Sequence, residues 1–366
     1  MFSCGVRGYV QDDEGLWMFG YSLGGYETRE ILPITPLPWS GGPIRSLEST
    51  ADTIYILDYE KQLWRSEIDP NNSTSLEFVP LTKLPRIIQI TACYSHVALL
   101  DEDGKVWIDK QLQNDVIEYQ RSQRSVLKVI SDYFSSPDTT PIKVHDGFVV
   151  QRTIEELPRI SFISFVNELM MATKQGDSYF LTKRWVSPHP QKLPGTYDGE
   201  TVRSMQGSYY GSVVVDGQGS AWCRDKFEYE KHDYLPEILY SVAGGVYILL
   251  LDKNGHVWAK EFCNYKCTNL ASVFDSIQPG YIDCYTKFVK DPKERKFQAI
   301  TSGAEFAMGL QENGTMLVSG FAAFLGLPSK SKPPSSFIPL QEHPLRPKLT
   351  KPKPQKSALS VLPELQ

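Results

Sequence analysis

Apolar residues in this chain occur in short runs that acidic, glycine-containing turns bring to an end. Examples are the runs Val97 to Leu100, Val213 to Val215 and Tyr247 to Leu251. Apolar and polar positions do not alternate within them, which is typical of strands covered on both faces. The Asp-x-x-Gly segments that follow reverse the chain, because glycine tolerates positive φ and aspartate can cap a turn with its own side chain. The pattern therefore predicts buried hairpins.

This pattern repeats along most of the chain. In the three clearest copies, the turn glycine lies seventeen residues after the first apolar residue and three before a tryptophan. These copies are IIQITACYSHVALLDEDGKVW (87–107), VRSMQGSYYGSVVVDGQGSAW (202–222) and ILYSVAGGVYILLLDKNGHVW (238–258). Weaker copies end at Trp17, Trp64, Tyr179 and Leu317. Five of the seven tryptophans thus share one repeat position, which predicts that they pack between neighbouring units.

One such unit cannot cover its own apolar strands, so it needs a neighbour on either side. We therefore expect an all-β fold, a seven-bladed β-propeller of four-stranded antiparallel blades. The first copy has no apolar strand before it, and Phe337 to Leu340 follows the last copy. This predicts ring closure by pairing of the N- and C-terminal strands. The predicted propeller spans 1–341, with repeats at about 2–43, 44–86, 87–159, 160–201, 202–237, 238–296 and 297–341. Residues 342–366 are predicted to form a disordered Pro- and Lys-rich tail.

Two long stretches interrupt the period. Residues 108–159 are either a degenerate eighth repeat or a loop on the rim, and we favour seven units because an eighth would leave too few residues before Tyr179. Residues 259–296 contain apolar side chains at helical spacing, followed by Pro279 and Gly280. A short amphipathic helix is predicted there, with Leu270, Val273, Phe274 and Ile277 on its apolar face.

The formal net charge of the chain is −5, although residues 342–366 contain five basic and two acidic side chains. An acidic body predicts no nucleic-acid binding by the propeller. The N-terminus does not resemble a signal peptide, and no apolar run reaches the roughly eighteen residues of a membrane span. We expect a soluble monomer in the cytoplasm or nucleus. The six cysteines are expected to be free thiols.

The sequence contains no recognisable catalytic motif, so catalytic residues are unknown, and we expect neither enzymatic bond chemistry nor a cofactor. Cys263, Cys267, Cys284 and His256 could be combined into a zinc site, but a second closely spaced cysteine pair is missing. The Asp-x-x-Gly turns lack the alternating acidic ligands and closing glutamate of a calcium loop. The sequence therefore predicts no metal site.

The segment ITACYSHVALLDEDGKVW resembles the regulator of chromosome condensation repeat, in which a glycine and, three residues later, a histidine precede an apolar strand, an acidic turn and an aromatic strand. DEGLWMFGYSLGGY and LVSGFAAFLGL resemble the stretch that follows in that family. The repeats here are degenerate. The histidine is kept only as His96, after Cys93 in the glycine position, whereas Gly207, Gly244 and Gly303 precede Tyr210, Tyr247 and Phe306.

The resemblance implies a scaffold that binds a protein partner through a propeller face or rim. The founding member of that family promotes nucleotide exchange on the small GTPase Ran, so an exchange factor for a Ran-like GTPase is the alternative. The resemblance also makes His96 the candidate partner-binding residue, although a structural role within its own blade is the competing interpretation.

Overall fold

The computed structural model describes residues 1–4, 7–21, 23, 31–69, 72–93, 95–115, 144–150, 157–165, 169–181, 191–193, 201–207, 211–224, 229–245, 247–261, 288–291, 293–303, 306–320 and 338–339. These residues form seven antiparallel sheets of four strands each, arranged as the blades of a propeller. The predicted fold class is confirmed.

Each blade takes its four strands from one continuous part of the chain. The first blade contains β1 (Phe2–Cys4), β2 (Arg7–Asp12), β3 (Gly15–Tyr21) and β4 (Ile31–Leu37). The second contains β5 (Ile44–Ser49), β6 (Ile54–Asp58), β7 (Leu63–Asp69) and β8 (Asn72–Pro80). The third contains β9 (Ile87–Ala92), β10 (Val97–Asp101), β11 (Val106–Asp109) and β12 (Phe148–Val150). The fourth contains β13 (Phe162–Phe165), β14 (Leu169–Ala172), β15 (Asp177–Leu181) and β16 (Gln191–Lys192).

The remaining three blades follow the same order. The fifth contains β17 (Val202–Gly207), β18 (Ser212–Asp216), β19 (Ala221–Arg224) and β20 (Tyr229–Lys231). The sixth contains β21 (Ile238–Ala243), β22 (Tyr247–Asp252), β23 (Val257–Glu261) and β24 (Val289–Lys290). The seventh contains β25 (Ala299–Ser302), β26 (Phe306–Leu310), β27 (Met316–Gly320) and β28 (Ile338–Pro339). A short helix, α1, spans 110–115.

The core consists of the seams between blades. Every residue of β10, β18 and β22 is buried, because such a second strand is sandwiched between two neighbouring sheets. One cluster joins Tyr55 and Leu57 of the second blade to Leu99 and Trp107 of the third. Trp17, Trp64 and Trp258 likewise pack against clusters shared with the preceding blade. The predicted packing of these tryptophans between units is confirmed.

The ring closes differently from the expectation. The C-terminal strand β28 pairs with β27, within the seventh blade, and all four strands of the first blade come from the N-terminal part of the chain. The pairing of N- and C-terminal strands was therefore a wrong prediction. The fourth strand of the first blade is β4, which contains two prolines; an edge strand tolerates proline, since its outer side needs no ladder hydrogen bond.

Closure instead rests on apolar packing. The first strand of every blade contacts the first strand of the next, and β25 of the last blade contacts β1 of the first. A buried cluster spans this seam, with Val10 and Phe19 from the first blade and Phe306 and Met308 from the seventh. The Phe19 and Phe306 rings meet edge to face, with their centroids 6.0 Å apart, a favourable arrangement for two aromatic side chains.

The two faces of the ring carry different connections, because successive strands of a blade are antiparallel. We call the face with the connections from first to second and from third to fourth strands the loop face, and the opposite one the turn face. Two long connections, 110–147 and 262–288, each join a third to a fourth strand and therefore open on the loop face. Since β12 completes the third blade, the strands that the structure describes within 108–159 belong to the third blade and not to an eighth. The helix predicted at Leu270 to Ile277 lies outside the described residues.

Candidate functional site

The candidate partner-binding residue, His96, lies on the loop face between β9 and β10. His96 is only 3% exposed. Nδ1 lies 3.2 Å from both carboxylate oxygens of Asp109, the last residue of β11. The same carboxylate accepts a hydrogen bond of 3.1 Å from the backbone N–H of Val97. His96 is thus held at the start of β10, and its predicted contact with a partner stays a prediction.

Asp109 also starts the helix α1. Its Oδ1 accepts a hydrogen bond of 2.8 Å from the backbone N–H of Leu112, the contact that an N-capping aspartate makes with the first turn of a helix. Leu112 is buried in a cluster with Ile108 and Val149. The cap and this apolar anchor hold the beginning of the long 110–147 connection against the third blade.

The far end of α1 returns to His96. The Nε2 atom lies 3.8 Å from Oδ2 of Asp115, whose Oδ1 accepts a hydrogen bond of 2.7 Å from Gln111. The imidazole therefore lies between two carboxylates: that of Asp109 faces Nδ1 and that of Asp115 faces Nε2. Sequence reasoning identified His96 but missed both aspartates, because nothing in the repeat pattern shows that α1 folds back over the ring.

His96 also contacts the next blade. Its ring stacks on Phe165 of the fourth blade, with the centroids 6.4 Å apart and the planes at 23°. Equivalent residues make similar contacts elsewhere. Arg7 donates a hydrogen bond of 2.6 Å to the carbonyl of Thr50 in the second blade. Tyr247 donates one of 3.3 Å to the carbonyl of Gly303 in the seventh. The position at the start of the second strand thus connects blades, which supports the structural interpretation of His96.

Other positions in the loops before the second strands are consistent with this role. A methyl group added at Gly244 would lie 2.5 Å from the Tyr247 ring and 2.8 Å from the carbonyl oxygen of Gly303. Only glycine therefore leaves room for the tyrosine to reach the next blade. Tyr210, which was aligned with His96 from the sequence, lies outside the described residues.

Burial shifts the acidity of two groups near Asp109. It raises the pKa of Tyr55 to about 12; the charges of Asp109 and Asp52 add to this shift, and that of Arg65 opposes it. Burial also raises the pKa of the Cys93 thiol, against the opposing effect of hydrogen bonds from Ser95 and His96. Both groups are therefore neutral at physiological pH.

The Asp-x-x-Gly turns lie on the opposite face of the ring, the turn face. In the third blade, Oδ1 of Asp101 accepts a hydrogen bond of 2.8 Å from the backbone N–H of Lys105, and Oδ2 accepts one of 2.9 Å from the indole N–H of Trp107. The pairs Asp12–Trp17, Asp58–Trp64, Asp216–Trp222 and Asp252–Trp258 make the same indole contact. The sequence predicted the capping aspartate and the packed tryptophan separately, but not the bond between them.

Within the part of the chain that the structure describes, no group of three or more His, Cys, Asp or Glu side chains could hold a metal ion. Cys263, Cys267 and Cys284 lie outside the described residues, and Nδ1 of His256 lies 3.5 Å from Asp252. No helix in the described ranges has the length and apolar character required to cross a bilayer.

The fold defines the chain as a seven-bladed β-propeller with four strands in each blade. The sequence of the chain matches no protein-family model and no curated protein sequence. Among solved structures it is similar to Prp20p from Saccharomyces cerevisiae, with a TM-score of 0.59 and 12% identity over 87% of this chain and 81% of that one. Human WBSCR16 has a TM-score of 0.54 and 11% identity over 84% and 86% of the two chains.

A third similar structure shows Kap60 bound to yeast RCC1 (Prp20), with a TM-score of 0.58 and 11% identity over 91% of this chain and 83% of that one. At such identities the likeness concerns the fold. The resemblance to the regulator of chromosome condensation propellers, inferred from the repeats, is confirmed at that level.

Proposed function

We propose that this chain is a protein-interaction scaffold that binds a protein partner through the loop face of its propeller or the adjoining rim. The observation that carries this proposal is that the two longest connections within blades, 110–147 and 262–288, both start and end at the loop face. Connections held by a rigid scaffold are where binding residues concentrate. The start of the first connection is held against the third blade, since Asp109 caps α1 and Leu112 is buried in the core.

The proposal includes an organisation and a setting for the protein. Residues 1–341 form the binding unit and 342–366 an appended basic tail, in a monomer located in the cytoplasm or nucleus. Nucleic acid is not the proposed ligand of the propeller, because the chain as a whole carries a formal net charge of −5 and would repel a polyanion.

The test compares variants of the two faces. In the loop-face variant, a flexible Gly/Ser linker replaces residues 116–143. The turn-face control is Glu60→Ser/Lys174→Ser, which changes two exposed side chains on the opposite side. Proximity labelling with the intact chain identifies a partner, and binding is then measured with purified components. We expect the loop-face variant to weaken binding at least about ten-fold and the control to change it less than about two-fold.

Equal binding by all variants, or loss of binding in the turn-face control alone, would contradict the assignment of the partner to the loop face. Circular dichroism and thermal melting confirm beforehand that each variant keeps the propeller fold. A variant that does not fold is replaced by one in which the linker substitutes for residues 263–286 in the other long connection.

A guanine nucleotide exchange factor for a Ran-like GTPase is the alternative function. The structural likeness to Prp20p favours it, because that protein was characterised for its binding to Gsp1p and histones. Exchange requires only that the propeller bind the nucleotide-free GTPase more tightly than the loaded one. Release of a fluorescent guanine nucleotide from a panel of purified small GTPases tests this alternative, which is wrong if micromolar propeller accelerates none of them.

A further inference from the structure

The fourth strand of the second blade, β8, differs from the other outer strands. It runs over nine residues, from Asn72 to Pro80, and its only proline is the last residue. Natural sheets usually protect their edges with short strands, prolines or a covering segment, because an open edge pairs readily with another chain. The other fourth strands have only two or three residues or, in β4, two prolines among seven: Ile31–Leu37, Phe148–Val150, Gln191–Lys192, Tyr229–Lys231, Val289–Lys290 and Ile338–Pro339.

Backbone groups on the outer side of β8 have no partner among the described residues. No strand lies beyond β8 in its sheet. The N–H of Leu81 donates a hydrogen bond of 2.9 Å to the carbonyl of Leu63 at the end of the β7–β8 pair. Hydrogen-bonded and non-hydrogen-bonded pairs alternate along an antiparallel ladder, so the N–H and C=O groups of Leu76 and Phe78 point away from β7. These groups form an open edge.

The side chains of β8 alternate between two environments. Leu76 and Phe78 pack against the apolar cluster shared by the first two blades, and the Phe78 ring meets that of Trp39 edge to face, with the centroids 5.5 Å apart. Glu77, on the other face of the sheet, is exposed. A strand added to this edge continues the same alternation, so it needs apolar side chains beside Leu76 and Phe78 and a different kind of residue opposite Glu77.

The charges on that face favour a basic residue opposite Glu77. Glu77 pairs in register with Glu67 of β7, and like charges directly opposite each other destabilise a sheet. Arg65 forms an ion pair with Glu67, whereas Glu77 forms none with a described residue. Towards an added strand, Glu77 would occupy a non-hydrogen-bonded pair, in which facing side chains come closest. A lysine or arginine at that place would balance the second carboxylate.

We propose that the outer edge of β8 is a docking site for an extended segment of a protein partner. This segment adds a fifth strand to the second blade and places a basic residue, between two apolar ones, against Glu77. In strand addition of this kind, main-chain hydrogen bonds give affinity and alternate side chains give specificity. The inference names the kind of partner that the rim of the propeller binds, and in that respect it rests on the proposed function.

A second copy of this chain is the competing occupant of the edge. In an antiparallel pair of two β8 strands centred on Glu77, the two Glu77 carboxylates would face each other. Like charges at facing positions destabilise such a pair, whereas a basic segment complements the strand. Charge therefore favours a different protein over a second copy.

Fluorescence anisotropy of the full chain with a labelled, end-blocked peptide, Thr-Val-Lys-Val-Lys-Val-Thr, tests the site. We expect saturable binding with a dissociation constant below about 1 mM. A peptide with glutamate in place of both lysines should bind at least about three-fold more weakly. Glu77→Lys should weaken binding of the lysine peptide by a similar factor. The matched control is Glu60→Lys, the same charge change at an exposed site on the turn face, and it should leave the affinity unchanged.

Leu76→Pro tests the contribution of the backbone. It removes the outward N–H but no bond of the β7–β8 ladder, since an edge strand accepts proline on its outer side. The matched control is Leu76→Ala, which removes the side chain and keeps the N–H. We expect the proline variant to bind the lysine peptide at least about five-fold more weakly than the alanine variant. If the proline variant does not fold, hydrogen exchange of 72–80 in the wild type replaces it and should slow when the peptide is bound.

Several results would overturn the proposal: no saturable binding of the lysine peptide, equal affinity for the two peptides, equal affinity of Leu76→Pro and Leu76→Ala, or unchanged exchange of 72–80. A concentration-dependent dimer that Leu76→Pro disrupts would assign the edge to a second copy and would also overturn it. The variant with a linker in place of 116–143 should keep full peptide binding. Failure of the β8 site is therefore distinguishable from failure of the proposed binding through the loop face.

Discussion

The bond between aspartate and tryptophan in the third blade makes a quantitative prediction. Asp101 is 2% exposed and Trp107 is 8% exposed, so neither the carboxylate nor the indole N–H can easily exchange its partner for water. In Asp101→Asn the amide oxygen can still accept from Lys105, but the amide NH2 group would then face the indole N–H. Losing a buried hydrogen bond to a charged acceptor costs about 2 kcal/mol of unfolding free energy.

The assay is urea unfolding followed by far-ultraviolet circular dichroism, in which the backbone signal dominates. Trp107→Phe should destabilise by about 2–3 kcal/mol, because it removes the donor and part of the packed surface. The double variant should be less destabilised than the sum of the single variants, by about 1–2 kcal/mol, since the two side chains share one interaction. The matched control is Asp103→Asn in the same turn, an exposed site where the change should stay within about 0.5 kcal/mol.

Two outcomes would refute this reasoning. One is an Asp101→Asn variant no less stable than Asp103→Asn, which would mean that the buried bond contributes nothing beyond solvation. The other is strict additivity in the double variant, which would show that the aspartate and the tryptophan act independently.

Four further predictions concern the seams, the acidity of a buried group and the tail. Gln89→Ala should destabilise by about 1–2 kcal/mol in urea unfolding, since Gln89 donates to the carbonyl of Ile163 and accepts from its N–H across two blades. Tyr247→Phe should cost about 1 kcal/mol in the same assay, through the lost bonds to carbonyls of the seventh blade. Burial raises the pKa of Tyr55 to about 12. The stability that the neutral Tyr55 side chain confers should therefore be complete below about pH 10 and be lost as the pH rises towards 12. Thermal melts of the wild type and of Tyr55→Phe from pH 8 to 11.5 measure this loss. Deleting 342–366 should leave the midpoint and cooperativity of the thermal melt unchanged, whereas loss of the cooperative transition would place the boundary of the propeller later.

Much of the third blade could be predicted from local sequence. The apolar run of β10, the turn from Asp101 and the position of Trp107 all lie within one repeat, and their identical spacing in other copies indicates a shared conformation. The number of blades followed from the same period. Such features depend on residues close together in the chain, whose preferences for strands and turns act before any tertiary contact forms.

The closure of the ring was not predictable in this way. Both β4 and β28 are edge strands that contain proline, and the local sequence does not say which sheet each strand joins. That choice is made by pairing with β3 and β27 and by packing of Phe19 against Phe306.

For the candidate site too, some features could be predicted from the sequence and others could not. The sequence by itself determined that His96 precedes an apolar strand and that turns of the Asp-x-x-Gly type recur between an apolar run and an aromatic residue. Only the tertiary structure decided that Asp109 and Asp115 lie on either side of the His96 ring and that Phe165 of the next blade covers it. Contacts of this kind join residues from different strands, a helix and a neighbouring blade, and a repeat pattern carries information only about positions within one unit.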